Sequence, residues 1–413
     1  MNKLRHFISR DWRTMLMCGL AVISGLNFWI HSFAPSLSGV TYGFPAYYTA
    51  ARLIVEGRWS DQVYNDAWFR AQVLAQTDGR VNDLMSYNPP TTSLLLVPLA
   101  RLDIAGARAG WAIVNLVLLA ASVCLILTAP PRPLQPAVGA GWIALVFSFA
   151  PLWENFRVGQ TYVLLLFLFA LAFWCLLQRR AMFTGIALGV AAAAKLSGGP
   201  IWLILAARQR WRDLAVGVAT GLAFVVMSMI VTGTAGWAAF IAALPSHLLA
   251  TRWASHVSLQ TTPSFFQHLF AADAQWNPSP LWNQAWLGSA LSLGVIGAAL
   301  IATVWRSRRS DWDLALSLAI ALSVIVFPLA EEYHYTLFLL PLAVMVSRIV
   351  RRPFDARDIV WLVVVLILLV VAWPYKNMAA DGWNALLAYP RLYGGWLAWG
   401  WLMKHTSIAA EAR

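Results

Sequence analysis

Long apolar runs alternate with short polar breaks along this chain, and the breaks are of two kinds that do not mix. Arg and Lys gather at Lys3 to Arg13, Arg179-Arg180, Arg208 to Arg212, Arg306 to Arg309 and Arg348 to Arg357. The opposite ends of the same runs carry Tyr87-Asn88-Pro89-Pro90, Glu154, Gly159-Gln160, Lys195, His256 to Gln260, and Glu331-Glu332 with His334. A hydrocarbon core of about 30 Å takes about 20 apolar residues to cross as helix. The runs therefore predict spans at 14–31, 109–129, 137–153, 161–178, 181–207, 213–233, 286–305, 312–330, 334–347, 358–375 and 383–403, with 91–101 a further span or a re-entrant piece. Lys195 and the Ser197, Gly198, Gly199, Pro200 break interrupt 181–207, which predicts two half-helices meeting at one face. Such breaks survive at membrane depth where they line a cavity or are buried in protein.

Two loops on the less basic side are long. Residues 32–90 hold Glu56, Asp61, Asp66, Asp78 and Asp83 and two stretches of helical character, 45–55 and 66–76. In the first, Tyr47, Ala50, Ala51 and Ile54 fall on one helical face. Residues 234–285 form the second, with Trp237, Trp253, Trp276 and Trp282 and the helix-breaking Asn277-Pro278-Ser279-Pro280. The 23 Trp fit interfacial belts. Together these elements predict one multi-pass domain over 1–413, an all-α polytopic membrane bundle of about 11 to 13 transmembrane helices.

Composition agrees with the pattern. At 60% hydrophobic and 12% charged, the chain is too apolar for a soluble globule. A net charge of +12 would point to nucleic acid in a soluble protein. Here the excess sits in the clusters that mark a cytoplasmic face, where membrane lipids are the fitting partner, so no nucleic-acid partner is assigned. The basic start followed by an apolar run lacks a cleavage site and reads as an uncleaved first helix with a cytoplasmic N-terminus. Cys18, Cys124 and Cys175 all fall in apolar runs without metal spacing and read as small core residues.

Lys195 is the strongest single anomaly. An ammonium within a span costs about 2.5 to 3.5 kcal/mol on insertion scales, so it is either a snorkelling or ion-paired structural residue or a ligand for an anion such as phosphate. Arg157, three residues after Glu154, either shares phosphate binding or simply partners that carboxylate. Glu331, Glu332 and His334 form either a polar cap at a span end or a general base whose pKa burial and like charge would raise. Tyr87, Asn88, Gln160, Ser258 and Gln260 complete the candidate substrate-binding set.

Taken in order, Gly43-Phe44-Pro45-Ala46-Tyr47-Tyr48, Glu56-Gly57, Tyr87-Asn88-Pro89-Pro90-Thr91, Gly159-Gln160, Gly185 to Lys195, and Glu331-Glu332-Tyr333-His334-Tyr335 before Leu340-Pro341 resemble glycosyltransferase family 87. That family is of the GT-C class and similar to polyprenyl-phosphate-mannose-dependent mannosyltransferases. The resemblance implies a bacterial inner-membrane hexosyltransferase. It would move a mannose-like sugar, with inversion, from a polyprenyl-phosphate donor to an acceptor hydroxyl on a lipid or glycan at the outer face. No cofactor or metal is implied. The family pattern usually has Asp, the expected base, where this chain has Gly43, and its late motif often reads Trp-Asp/Glu-His-His-Tyr. Glu332 with His334 is then the first substitute as base, with Asp61, Asp66 and Glu154 behind. A lipid-linked sugar translocator and a catalytically lapsed glycolipid-binding relative stay open as alternatives.

Overall fold

The computed structural model describes residues 2–129, 134–249, 255–353, 355–377 and 381–406. Among these residues the chain is helical and contains no strand, in keeping with an all-α polytopic membrane protein. Helix α1 (Asn2–Phe28) leads through a wider turn at Trp29–Phe33 into the first loop. There α2 (Phe44–Val55) and α3 (Asp66–Gln76) form on the two stretches whose pattern predicts them. The 91–101 run resolves into a short α4 (Pro90–Leu94) followed by turns, too short to cross a membrane. The bundle continues as α5 (Ile104–Thr128), α6 (Pro136–Phe147), α7 (Ala150–Val158), α8 (Tyr162–Leu177), α9 (Ala181–Lys195), α10 (Gly199–Ala207) and α11 (Trp211–Leu249). It closes with α12 (Thr262–Phe270), α13 (Ala285–Ser307), α14 (Trp312–Ile325), α15 (Leu339–Val350), α16 (Ala356–Val370) and α17 (Pro390–His405).

Local chemistry sets the boundaries. The Asn65 side chain accepts from Ala67 N and Trp68 N at 3.2 Å and starts α3, and Asp103 does the same for α5 through Gly106 N at 3.0 Å. Leu196 and Gly198, both at positive φ, part α9 from α10 where the Ser-Gly-Gly-Pro run predicts a break. The second long loop starts later than expected. Helix α11 swings at Gly233 (φ 76°, ψ 162°) and stays helical through Pro245 to Leu249, because the residues after the glycine remain apolar.

Among the described residues, five stretches can span a membrane by length and composition: Trp12–Ser36, Ile104–Thr128, Trp211–Pro245, Ala285–Ser307 and Glu332–Val350. The α6–α7 pair, bent by 47°, makes a sixth if it is one broken span. Of the 11–13 expected spans, the described residues show five or six of full length, with α8, α9 and α14 as shorter apolar helices, and the Glu332–Val350 stretch is itself largely buried. Helices α8 and α14 are buried along most of their length, so protein rather than lipid covers them and bilayer thickness does not dictate their size. Helix α9 lies against α11 where Gly185 and Gly189 face Gly217 and Gly221. Paired small residues four apart let the backbones approach, the device that replaces hydrophobic driving force inside a bilayer. Cys175 is buried, but Cys18 and Cys124 are exposed on outward apolar faces, not in the core.

The basic breaks after α8, α10, α13 and α15 meet at one end of the bundle. Arg208 donates to Ser310 O at 2.9 Å, and Arg348 bridges Asp311 and Asp313 at 2.7 and 2.6 Å. At about 1.5 Å per residue, the 16 residues of α8 hold this end roughly 24 Å from the end where Lys195 lies.

Candidate active site

Lys195 is the last residue of α9, and the chain around it is held by the first loop. Thr91 Oγ1 and Thr92 Oγ1 donate to Ala193 O and Ala194 O at 2.5 and 2.7 Å, satisfying carbonyls that the end of α9 leaves open. The Asn-Pro-Pro-Thr-Thr run is therefore a clasp on the lysine helix. From that position Lys195 Nζ donates to Tyr47 Oη at 2.5 Å and to Asn88 Oδ1 at 2.6 Å. Tyr47 in turn donates to Gln160 Oε1 at 2.5 Å. The ammonium also lies 5.0 and 5.7 Å from the ring centroids of Tyr47 and Tyr162. Its bonded partners are neutral. Among the described residues no carboxylate stands within ion-pair distance of Lys195, although the charges of Asp83 and Glu331 reach it.

Gly43 and Gly159 join the loop to the bundle. Arg108, buried, donates to the carbonyls of Gly39, Phe156 and Arg157, so a cation closes the end of α7. Gly43 sits at φ 99° at the start of α2, and a Cβ there would stand 2.8 Å from Val158 O and 3.0 Å from Gln160 Nε2. A side chain does not fit without movement. Asp83 comes to this point from forty residues on: its Oδ2 accepts from Gly43 N at 2.6 Å and Ala46 N at 3.2 Å, and its Oδ1 from Leu84 N at 2.9 Å. Burial nonetheless pushes its carboxyl up to about 6, against the opposing pull of those N–H groups.

The adjacent acids of the late motif have different surroundings. Glu331 lies in the loop before the turn Glu332–Phe338, which it caps reciprocally with His334: Glu331 N donates to His334 Nδ1 at 3.0 Å. Its Oε1 accepts from Tyr333 Oη at 3.0 Å. Burial pushes the Glu331 carboxyl up to about 7. The His334 ring packs on Tyr162 and Tyr333, at centroid distances of 4.1 and 4.7 Å, so its imidazole is oriented from both sides. Glu332 turns the other way. Its oxygens take Arg391 Nη2 at 2.5 Å and Lys376 Nζ at 3.1 Å.

That turn belongs to a chain of alternating charge. Lys376 also reaches Glu154 at 2.9 Å, and Glu154 accepts both guanidinium arms of Arg157 at 2.7 and 2.6 Å and Tyr42 Oη at 3.2 Å. Arg157 is thus the partner of Glu154. The chain Arg157, Glu154, Lys376, Glu332, Arg391 ties α7, the late motif and α17 together.

The structure brings Lys195, Asn88, Gln160, Glu331 and His334 into one cluster, with Tyr87 half-buried beside Asn88. Glu154, Arg157 and Glu332 form the neighbouring ion-pair chain. Ser258 hydrogen-bonds His256 Nδ1 at 2.5 Å. Gln260 is a brace, its side chain bonded to Val257 O, Ala388 O and Arg391 N and its backbone to Tyr335 Oη and Ala330 O. Asp83, Tyr47, Lys376 and Arg391 are functional neighbours that the polar pattern does not single out. Tyr47 reads there as part of an apolar helical face, and Asp83 as one of five loop acids.

Comparison with known proteins adds one match. The model of Glycosyltransferase family 87 matches residues 87–328, more than half of the 413 residues. No curated protein and no solved structure matches the chain.

Proposed function

The chain belongs to glycosyltransferase family 87 and is a membrane glycosyltransferase, and from that premise we propose that it moves a mannose-like hexose from a polyprenyl phosphate to an acceptor hydroxyl on the side of the membrane that the Lys195 cluster faces, with inversion. The outer face of a bacterial inner membrane, with the arginine-rich end cytoplasmic, is the placement the charge asymmetry favours. The observation that carries this reading is the lysine itself. A half-buried ammonium whose bonded partners are a phenol, an amide oxygen and two aromatic faces is solvated but not neutralised, and a phosphate supplies the missing charge.

In the reaction the acceptor oxygen forms a bond to the anomeric carbon while its O–H bond breaks and the proton passes to a base. The bond from the anomeric carbon to the phosphate oxygen breaks on the opposite side, and its electron pair leaves with the phosphate, where Lys195 meets the developing charge. We assign the base to Glu331. Tyr333 donates a hydrogen bond to one of its oxygens, no cation holds it among the described contacts, and its proton affinity stands near neutrality, where a general base works best. Glu332, held by two cations, serves better as a brace for the motif. Asp83 supports a second reading, because it brings a carboxylate to the backbone of Gly43, where the family pattern has its Asp. Its oxygens already accept three N–H groups, which ranks it behind Glu331 as a proton acceptor and fits it to anchoring the start of α2.

Transfer from radiolabelled polyprenyl-phosphate mannose in proteoliposomes tests the reading. Wild-type protein transfers label, Glu331→Gln does not, and Asp83→Asn retains partial turnover. Full turnover in Glu331→Gln with none in Asp83→Asn moves the base to Asp83; no transfer by the wild type with any lipid-phosphate sugar removes the enzymatic reading.

A further inference from the structure

A cavity of about 870 Å³ opens at the arginine-rich end, a full helix length from Lys195. Its floor is apolar, formed by Ile126 and Leu127 from the last turns of α5 and by Phe173, Leu176 and Leu177 from α8. Its rim is not: Arg179, Arg210, Arg348, Arg351 and Arg352 line it, against only two lining acids, Asp311 and Asp313. Both acids are engaged by Arg348, and Arg210 is held by Asp213 at 2.7 Å. Trp312 stands in the same wall, its ring already covered by Arg208 at 3.6 Å. The rim therefore keeps an excess of positive charge over a floor that offers a ligand nothing polar.

We propose that this cavity is a binding site for one anionic glycerophospholipid, its phosphate on the rim arginines and its upper acyl chain on the α5–α8 floor. Guanidinium groups bind phosphate oxygens through paired N–H donors. Basic pockets between membrane helices on the more basic side are where acidic headgroups are taken up. Charge alone would admit any phosphate, but the apolar floor distinguishes a lipid. A soluble anion would leave the partly exposed Leu127, Leu177 and Val346 against water, whereas an acyl chain covers them and removes apolar area from water. The volume lies in the range of about 300 to 1,000 Å³ in which pockets enclose ligands of several hundred daltons, enough for a headgroup and part of a chain. The sugar donor has no claim on it, since its reacting centre belongs at the other end of α8. A bound lipid would bridge the loop after α8 to the loops after α13 and α15, which Arg348 and its two aspartates already join.

The full chain in phosphatidylcholine nanodiscs, supplied with graded phosphatidylglycerol and examined by native mass spectrometry after mild delipidation, tests this. One phosphatidylglycerol is expected to stay bound and to raise the apparent melting temperature, and phosphatidylcholine is not. Arg179→Gln/Arg352→Gln should weaken retention about tenfold or more while the melting temperature in pure phosphatidylcholine stays that of the wild type. Ala343→Trp, which fills the cavity and leaves every arginine, should also expel the lipid. Equal retention of the two lipids, undiminished retention in both variants, an identical thermal shift from inorganic phosphate alone, or displacement of phosphatidylglycerol by equimolar polyprenyl phosphate would each overturn the proposal.

Discussion

Charge is held differently at the Lys195 end and at the Arg348 end of the bundle. Around Lys195 the groups are few and enclosed, and the lysine is solvated by neutral side chains while the acids that feel it, Asp83 and Glu331, stay beyond bonding distance. Around Arg348 the groups are many and partly exposed, and the acids sit directly on the arginines. The first arrangement keeps cation and carboxylate apart and so keeps both reactive. The second neutralises locally and leaves a diffuse positive rim. An enzyme that must hold a phosphate and remove a proton in the same cavity needs the first; a surface that meets lipid headgroups needs only the second.

The sharpest way to break this contrast is within the late motif, where Glu331 follows the reactive pattern and Glu332 the neutralised one. Glu331→Gln should lower kcat about 100-fold or more, the range that positioned general bases contribute, with donor binding retained. Glu332→Gln should act through structure, lowering the melting temperature because Arg391, fully buried, loses its carboxylate. If kcat falls equally in both while neither melts early, the division between the two acids is wrong. At the Lys195 pole, Lys195→Ala should cut kcat/KM about 10- to 100-fold, the worth of a charge-assisted contact of about 1.5 to 3 kcal/mol. Lys195→Arg should keep part of it. Fluorescence titration with a polyprenyl-phosphate analogue is the check, and undiminished affinity in Lys195→Ala would return the lysine to a structural role.

Helices, breaks and the two poles were legible in the pattern because each is a local property. The α9–α10 break is written in Lys195 to Pro200, and α2 and α3 in their own periodicity. The pairing of acids with cations was not legible. Lys376 meets Glu154 across 222 positions and Asp83 meets Gly43 across 40, and nothing in either neighbourhood announces the partner. Adjacent glutamates look alike in a string. Only the two cations that hold Glu332, with none on Glu331 among the described contacts, separate the pair.

Gly43 sharpens the same point at smaller amplitude. Restoring a family-like Asp here should not raise activity: φ 99° disfavours a side chain, and its Cβ would press on Val158 O and Gln160 Nε2 while bringing a second carboxylate beside Asp83. Gly43→Asp should lower the melting temperature and reduce transfer several-fold, and Gly43→Ala should melt early with less loss of transfer. A gain of transfer in Gly43→Asp would show that the loop adjusts and that position 43 can carry the base.

The smallest expected effect concerns stability against pH. The Glu331 carboxyl is raised from its ordinary value of 4.5 to about 7 by burial, so the folded protein holds this proton more tightly than the unfolded chain does. Between those two values the folded form binds more protons, and stability from this group falls as pH rises, until above about 7 the ionised carboxylate is a fixed burden on the fold. Transfer has the opposite slope, since the base must be ionised, and should rise through the same pH before levelling. Glu331→Gln removes the burden together with the base. It should melt with the wild type at pH 5 and a few degrees above it at pH 8, a sign that a carboxylate paired with a cation would not give. Asp83→Asn provides the contrast. Its carboxylate, also raised but bonded to three N–H groups, loses those contacts on substitution and should melt below the wild type at both pH values. A Glu331→Gln protein that melts below the wild type at pH 8 would mean that this carboxylate is held by a cation in the membrane-embedded protein, and the contrast between the two glutamates would be lost.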